Sequence, residues 1–506
     1  MSSFKNILAA IILIFFSNYL LAQGKANIWY FGQNAGVDFR SGKPQALTNG
    51  ALSTEEGVAT ICDAQGKLLF YTDGISVWNA EHRKMPNGQD LMGHPSSTQS
   101  GVAIPAPNPP GHYFLFTVTD QARNNGFRYS QIDMQLDKGK GDVVEDKKNI
   151  LLRSPVTEKL TAVKHRNQKD TWVIVHGWND NKFYAYLVNE EGVNQEPVIS
   201  AVGSIHQGSS LNTQGYLKAN PDGSNLALAL EADHAIELFD FDNASGKVSR
   251  PLRAEFPDES YPYGIAFSPN ASVLYVSAAG PGKIYQFDLQ AGSDEKIIAS
   301  RKLIGQSPEG RWVGALQVAP DGKIYFPIYD TSYLGVIHQP NQLGAACNFQ
   351  NNYVDLQLGI AQLGLPTFDQ SAFQDISPLA EKEISFFDQN KIEKNKTFVL
   401  QNLEFTYAQY DIKPSSYPLL DQLVDILKEQ VELKILLKGH TDNIGNKSSN
   451  LQLSLNRARA IQNYLIAKGI KASRISHQGF GSKIPIASNA HPEGRAKNRR
   501  VEIVLN

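Results

Sequence analysis

The chain has 506 residues, of which 42% are hydrophobic and 19% charged, and its 48 basic and 50 acidic side chains leave a formal net charge of −2. That length exceeds one ordinary core, so two or three domains are expected, and the composition is that of a folded chain rather than a disordered one. Mixed, balanced charge excludes a nucleic-acid binder with a basic face; a neutral partner, or a small charged ligand held by a few residues, fits better.

Residues 1–23 read as a secretory signal peptide, with Lys5 as the positive start, an almost wholly apolar run over 7–16 and a small residue, Ala22, at the cleavage position. The run is too short to span a bilayer comfortably, and the competing reading is a buried N-terminal helix. No Cys follows to carry a lipid anchor. Export permits disulfides, and Cys62 and Cys347 are the only two cysteines. Two separate buried thiols are the favoured reading over a bond between them.

Residues 27–374 read as strands and turns without an amphipathic helix. One phrase recurs: a turn of Pro-Asp-Gly type, a short strand, a break, and a strand ending in an aromatic. It occurs at Pro221-Asp222-Gly223, Pro269-Asn270 and Pro320-Asp321-Gly322, with earlier variants at Asp63-Ala64-Gln65-Gly66 and at 167–170. A period of about 40 to 50 residues is that of four-stranded propeller blades, whose small sheets must cover one another around an axis. About six full blades are expected, plus a strand pair within 28–39 that residues 361–368 would complete. The predicted architecture is thus an all-β propeller of about seven blades, with six and eight as alternatives.

Chemistry in this region is sparse. His165, His176 and Trp178 are close enough in sequence to line one end of a channel, but ordinary strand and turn roles explain them as well. Asp63, Asp73, Asp222 and Asp321 sit at turns, where such side chains cap the backbone; calcium binding by one of these turns is the rarer alternative. No metal-binding, phosphate-binding or nucleophile-elbow motif occurs, so no cofactor and no catalytic residue is assigned. The strings Asn27-Ile28-Trp29-Tyr30-Phe31-Gly32, Tyr71-Thr72-Asp73-Gly74 and 157–165 resemble WD40-like (PD40-like) propeller segments in envelope and secreted proteins of bacteria with type IX secretion. That resemblance specifies architecture, not activity.

Residues 375–396 carry a mixed charged run and read as a linker. Residues 397–506 then alternate as an α+β domain, βαβαββ. A strand is expected over 398–407, a helix over 414–430, a strand over 431–438, a loop over 439–445, a helix over 449–468 ended by Gly469, and strands over 474–479 and 500–505. The second helix holds an anomaly. Its inward stripe runs Asn450, Leu453, Ser454, Arg457, Ala458, Ile461 and Leu465, so a guanidinium sits among core positions. Such a charge needs an anion, and Asp442 in the preceding loop is the nearest in sequence. A purely structural Arg457–Asp442 pair and a ligand site both remain open on these grounds.

The string Gly439-His440-Thr441-Asp442, Gly445, Asn450, Leu453-Ser454, Arg457-Ala458, Gly469, Arg474, Gly479, Gly481, Pro485, Gly494-Arg495 and Asn498-Arg499-Arg500-Val501-Glu502 resembles the OmpA C-terminal domain. It is a family that includes peptidoglycan-associated lipoproteins and flagellar stator anchors. The resemblance covers about 110 residues in order and spacing. It implies an envelope protein of a Gram-negative bacterium, in the periplasm and associated with the cell wall and outer membrane, that binds peptidoglycan. The implied ligand is diaminopimelate in a stem peptide. By that resemblance Asp442 takes the ammonium, Arg457 the carboxylate through a bidentate fork, Asn450 supports the ligand and Thr441 shapes the loop. Arg499 comes near the site, with a surface strand-end residue as the alternative, and Asp411 is a weaker candidate. Gly439 and Gly445 let the backbone approach the ligand. The expected function is non-catalytic, with the propeller offered to an envelope protein or a glycan. The alternatives are a wall-anchored component of a secretion or motility machine, and a propeller enzyme acting on envelope glycans.

Overall fold

The repeated turn phrases are the first hairpin turns of successive small antiparallel sheets. The structure, a computed structural model, describes residues 24–256, 260–374, 397–400 and 430–505, with positions 403, 410, 412, 416, 420, 423, 424 and 426–428 between them. The expected signal peptide and linker lie outside the described residues. The chain divides into two compact units, residues 1–379 and 380–506.

The described part of the first unit contains seven sheets, each built from consecutive strands. They begin at Ile28–Phe31, Ala59–Cys62, Gly101–Pro105, Val156–Lys164, Leu217–Ala219, Pro262–Phe267 and Gln317–Val318. Three have four strands, the third and fourth have five, and the first two have three each. In five sheets the first hairpin turn is the recurring phrase, and its acidic or amide side chain holds the turn. Asp63 Oδ1 accepts from Lys67 N at 2.9 Å, and Asp222 Oδ1 from Ser224 N at 2.9 Å. Asn270 Oδ1 accepts from Ser272 N at 3.1 Å, and Asp321 Oδ1 from Lys323 N at 3.2 Å. Gly223 and Gly322 take positive φ of 70° and 77° there, the conformation that makes glycine the natural third residue.

The first strand of each sheet lies beside the first strand of the next, from the first sheet to the seventh. The first and seventh also touch, where Tyr325 meets Phe39 and Trp29 with ring centroids 5.3 and 6.0 Å apart. Residues 361–368 depart from expectation. They do not complete the first sheet as a ladder strand, because their polar backbone is shared among several sheets. Gln33 N donates to Ile360 O, Ala315 N to Leu363 O, Leu363 N to Glu55 O and Thr367 N to Val58 O. Asp369 then bridges Ala162 of the fourth sheet.

His165 and His176 do not meet. The hairpin that pairs Lys164 with Thr171 and Val156 with Gly177 puts them at opposite ends. His176 is buried and stacks on His206 with centroids 3.5 Å apart. Cys62 and Cys347 are separate buried thiols. Among the described residues no group of three or more His, Cys, Asp or Glu is placed to hold a metal, and no helix is long and apolar enough to cross a membrane.

The second unit has one four-stranded sheet in the order Thr397–Val399, Val501–Leu505, Ile435–His440, Ile475–Gly481. The last pair is parallel, and the helix Lys447–Ala467 makes the crossover between them, as parallel neighbours require. Asn446 starts that helix by accepting from Ser448 N, and Gly469, at φ +95°, ends it. Of the expected inward stripe, Asn450, Ser454, Arg457, Ala458, Ile461 and Leu465 are buried, while Leu453 is half-buried. Leu420, Leu423, Val424 and Leu427, from the expected first helix, are helical and join Ile435, Leu437, Ile503 and Leu505 in the core. A short helix, Pro492–Asn498, was not anticipated.

The long helix rests on the sheet backbone to backbone. Gly439 and Gly479 are register partners beneath it. A Cβ on Gly479 would stand 2.6 Å from Leu455 N and 2.8 Å from Leu451 O, and one on Gly439 would stand 2.8 Å from the Ser454 carbonyl carbon. Gly439 thus seats the helix. This seat fixes the height of Asn450 and Arg457.

Candidate functional site

The loop after the strand Ile435–His440 is built to present one carboxylate. Thr441 N donates to Gly481 O at 3.0 Å, which holds the loop's start to the neighbouring strand. The Thr441 hydroxyl donates to Asp442 O at 2.9 Å. Asp442 Oδ1 accepts from Ile444 N at 3.0 Å, so the carboxylate is oriented by its own loop. Asn450 Nδ2 donates to Asp442 O at 3.3 Å and to Ile444 O at 2.9 Å. The amide nitrogen of Asn450 is therefore spent on the loop; any ligand support from this residue would come through Oδ1. Gly445, at φ +94°, lets the chain turn back into the helix.

Asp442 Oδ2 accepts from Arg499 Nη1 at 2.7 Å. The sequence named Asp442 as the nearest anion for Arg457, and the structure brings in the second guanidinium as its hydrogen-bond donor. Arg457 is 9% exposed. Burial and the repulsion of Arg499 lower its pKa, and the attraction of Asp442 raises it. One carboxylate thus stands within electrostatic reach of two guanidiniums, one buried and one at the surface.

Arg499 is presented by neighbours that are tied down on both sides. Asn498 Oδ1 accepts from Ile486 N at 2.8 Å and Ala487 N at 3.0 Å, fixing the preceding loop. Arg500 donates to Glu502 Oε1 through Nε at 2.8 Å and Nη2 at 2.6 Å, closing its own charge. Between them the Arg499 side chain stays 46% exposed. Beneath the loop His440 is buried and stacked on Phe480, with centroids 5.2 Å apart. Burial and Arg500 push its pKa down to about 4 against the pull of Glu502, so the imidazole is neutral near pH 7. Asp411 lies outside the described residues.

Asp442, Arg457, Asn450, Thr441 and Arg499 are thereby gathered around one loop. The Asp442–Arg499 contact and the pinning role of Asn498 were missed in the sequence; the only signal for them was an Asn-Arg-Arg string standing before a strand. Chemically, the arrangement offers one acceptor for a cation beside donors for an anion, which suits a zwitterion carrying both on one carbon.

The model of the OmpA family matches residues 404–499. Over 93 residues the chain is 47% identical to the peptidoglycan-binding protein ArfA of Mycobacterium tuberculosis, covering 18% of this chain and 28% of that one. It is 40% identical over 105 residues to the probable lipoprotein YiaD of Escherichia coli, covering 21% and 48%. The solved cell wall anchor of the T6SS from Pseudomonas aeruginosa is 32% identical over 24% of this chain and 93% of that one, with a TM-score of 0.20. The chain spans about a quarter and about half of the length of these two curated relatives. Residues 404–499 therefore make up an OmpA-family domain at the end of a mostly β chain.

Proposed function

We propose that the chain is a non-catalytic envelope protein of the periplasm, associated with the cell wall and outer membrane, whose C-terminal domain binds peptidoglycan stem peptides. Asp442 takes the ammonium of diaminopimelate and Arg457 its carboxylate, while Thr441 and Asn450 hold the loop and Arg499 closes the site. The observation that carries this reading is the convergence of one oriented carboxylate with two guanidiniums in a domain 47% identical to a peptidoglycan-binding protein. Asp442→Ala and Arg457→Ala should each abolish sedimentation with purified sacculi while the protein stays folded by circular dichroism. Retention of sedimentation by both refutes the site.

In this reading the first unit is a closed seven-bladed propeller that presents loops to a protein or glycan partner. Its support is the succession of seven antiparallel sheets with neighbouring first strands, and the meeting of Tyr325 with Trp29 and Phe39 across the two ends.

A further inference from the structure

We propose that the first unit carries a binding site for a primary ammonium, built from Glu56, Glu231 and Tyr263 at the end of the sheets where their first strands begin. This site belongs to the other unit from the wall-binding loop and does not depend on it.

Every residue of the site stands at the same end of its sheet. Glu56 and Thr98 come just before the first strands of the second and third sheets, and Glu158 and Tyr263 are early in those of the fourth and sixth. Glu231 directly follows the second strand of the fifth sheet, Asn225–Leu230, and in an antiparallel hairpin the end of the second strand lies beside the start of the first. Hydrogen bonds tie these segments together. Glu56 N donates to Pro95 O and Gly57 N to Ser97 O, next to Thr98. Thr98 donates to Glu158 Oε2 through N at 2.8 Å and through its hydroxyl at 2.9 Å, and the same hydroxyl accepts from Gly215 N at 3.2 Å. Tyr216 N donates to Tyr263 O at 2.8 Å. Five successive sheets thus meet in one cluster.

Two charges of the cluster are satisfied by the protein itself. Glu158 also accepts from Gln121 N at 2.8 Å, and Lys159 Nζ donates to Asn212 O, Thr213 O and Gln214 O, which uses all three of its donors. The remaining polar atoms are not satisfied. Glu56 is 7% exposed and Tyr263 2%, yet Glu56 Oε2 and the Tyr263 hydroxyl are buried without a hydrogen-bond partner, as is Glu231 Oε2. Tyr263 lies beside Glu56 and Thr98 but reaches hydrogen-bond geometry with neither. Burial and the charges of Glu158 and Glu231 raise the pKa of Glu56, and burial pushes Glu231 up to about 7 against the pull of Lys159. Unpaired burial of this kind costs the fold stability, and groups perturbed in this way collect at binding sites.

A primary ammonium supplies what the cluster lacks. It brings one positive charge, and its three N–H donors match two carboxylate oxygens and a phenolic oxygen. Among the described residues no three His, Cys, Asp or Glu side chains are placed to hold a metal ion, so the cation is one that binds through directed hydrogen bonds. Glu231 is only partly buried and opens the cluster to solvent. Two sources carry this chemistry, a lysine on a partner protein's loop and a free amine.

The test titrates the full-length chain by calorimetry with n-butylammonium and with the peptide acetyl-Gly-Lys-Gly-amide, each compared with its N-acetylated form. Acetylation should weaken binding at least tenfold. Binding of the peptide assigns the site to a partner's lysine, and binding of n-butylammonium alone assigns it to a free amine. Glu56→Gln and Glu231→Gln should each weaken the ammonium about tenfold, and Tyr263→Phe several-fold, while the melting temperature of the first unit holds or rises because an unpaired buried group has been removed. Residues that only support the fold would instead lower the melting temperature and leave the affinity unchanged, which overturns the proposal. Failure of both amines to bind, equal affinity for the acetylated forms, or tighter binding of calcium than of either amine overturns it as well.

Discussion

Gly479→Ala probes the seat on which the site depends. The added Cβ would lie 2.6 Å from Leu455 N and 2.8 Å from Leu451 O, where ordinary contact begins at 3.4 Å. The helix Lys447–Ala467 must therefore lift by about 0.8 Å at its second turn, the difference between 3.4 and 2.6 Å. Two of the three obstructing atoms belong to helix backbone and the third is the Ser454 hydroxyl, so a rotamer change alone does not relieve the clash. Overpacking of this kind costs about 1–3 kcal/mol, which for a domain near 100 residues lowers the melting temperature by roughly 5 to 20 °C. The lift also carries Asn450 and Arg457 away from Asp442, so affinity for sacculi should fall in protein that is still folded. The assay is differential scanning calorimetry of the full chain, following the C-terminal transition, with sacculus sedimentation below it. A shift smaller than about 2 °C, or unimpaired sedimentation, would show that the helix does not rest on this glycine.

Two further outcomes are expected. A double-mutant cycle between Phe39→Leu and Tyr325→Leu should return a coupling of about 0.5–1.5 kcal/mol in urea unfolding of the first unit; additive effects would mean that the first and seventh sheets do not support each other. His440 has a folded pKa near 4 against an ordinary 6.5, so the unfolded chain takes up its proton first as pH falls. Stability of the C-terminal domain should be complete above about pH 6.5 and decline towards pH 4. His440→Gln should flatten that decline in urea midpoints at pH 7.5 and 4.5, and identical slopes would remove His440 as its source.

Local chemistry made much of the fold legible. Asp63, Asp222 and Asp321 bond to backbone within their own turns, so the Pro-Asp-Gly phrase reports a hairpin wherever it occurs. Arg457 was legible for the opposite reason, as a charge at a core position of a periodic helix. What could not be read were pairings set by distant chain. Arg499 reaches Asp442 only because the last strand returns beside the strand that feeds the loop. Glu158 and Lys159 are charged, yet both are fully buried in a strand. Lys159 Nζ donates to Asn212 O at 2.9 Å, and Glu158 accepts from Thr98 N at 2.8 Å. Leu453, expected on the inward stripe, is only half-buried. The course of residues 361–368 was not legible because a peptide that bonds singly to several sheets leaves no periodic trace.

That last stretch has a consequence for how the molecule comes into being. Synthesis is vectorial, and the backbone groups of Gln33, Glu55 and Val58 find their partners only when residues 360–367 have been made. Until then the opening sheets are small, with unsatisfied edges and little to bury against. Contacts between residues so far apart in sequence are slow to form. Residues 360–367 follow every strand of the seven sheets, so these bonds to the opening sheets become possible last.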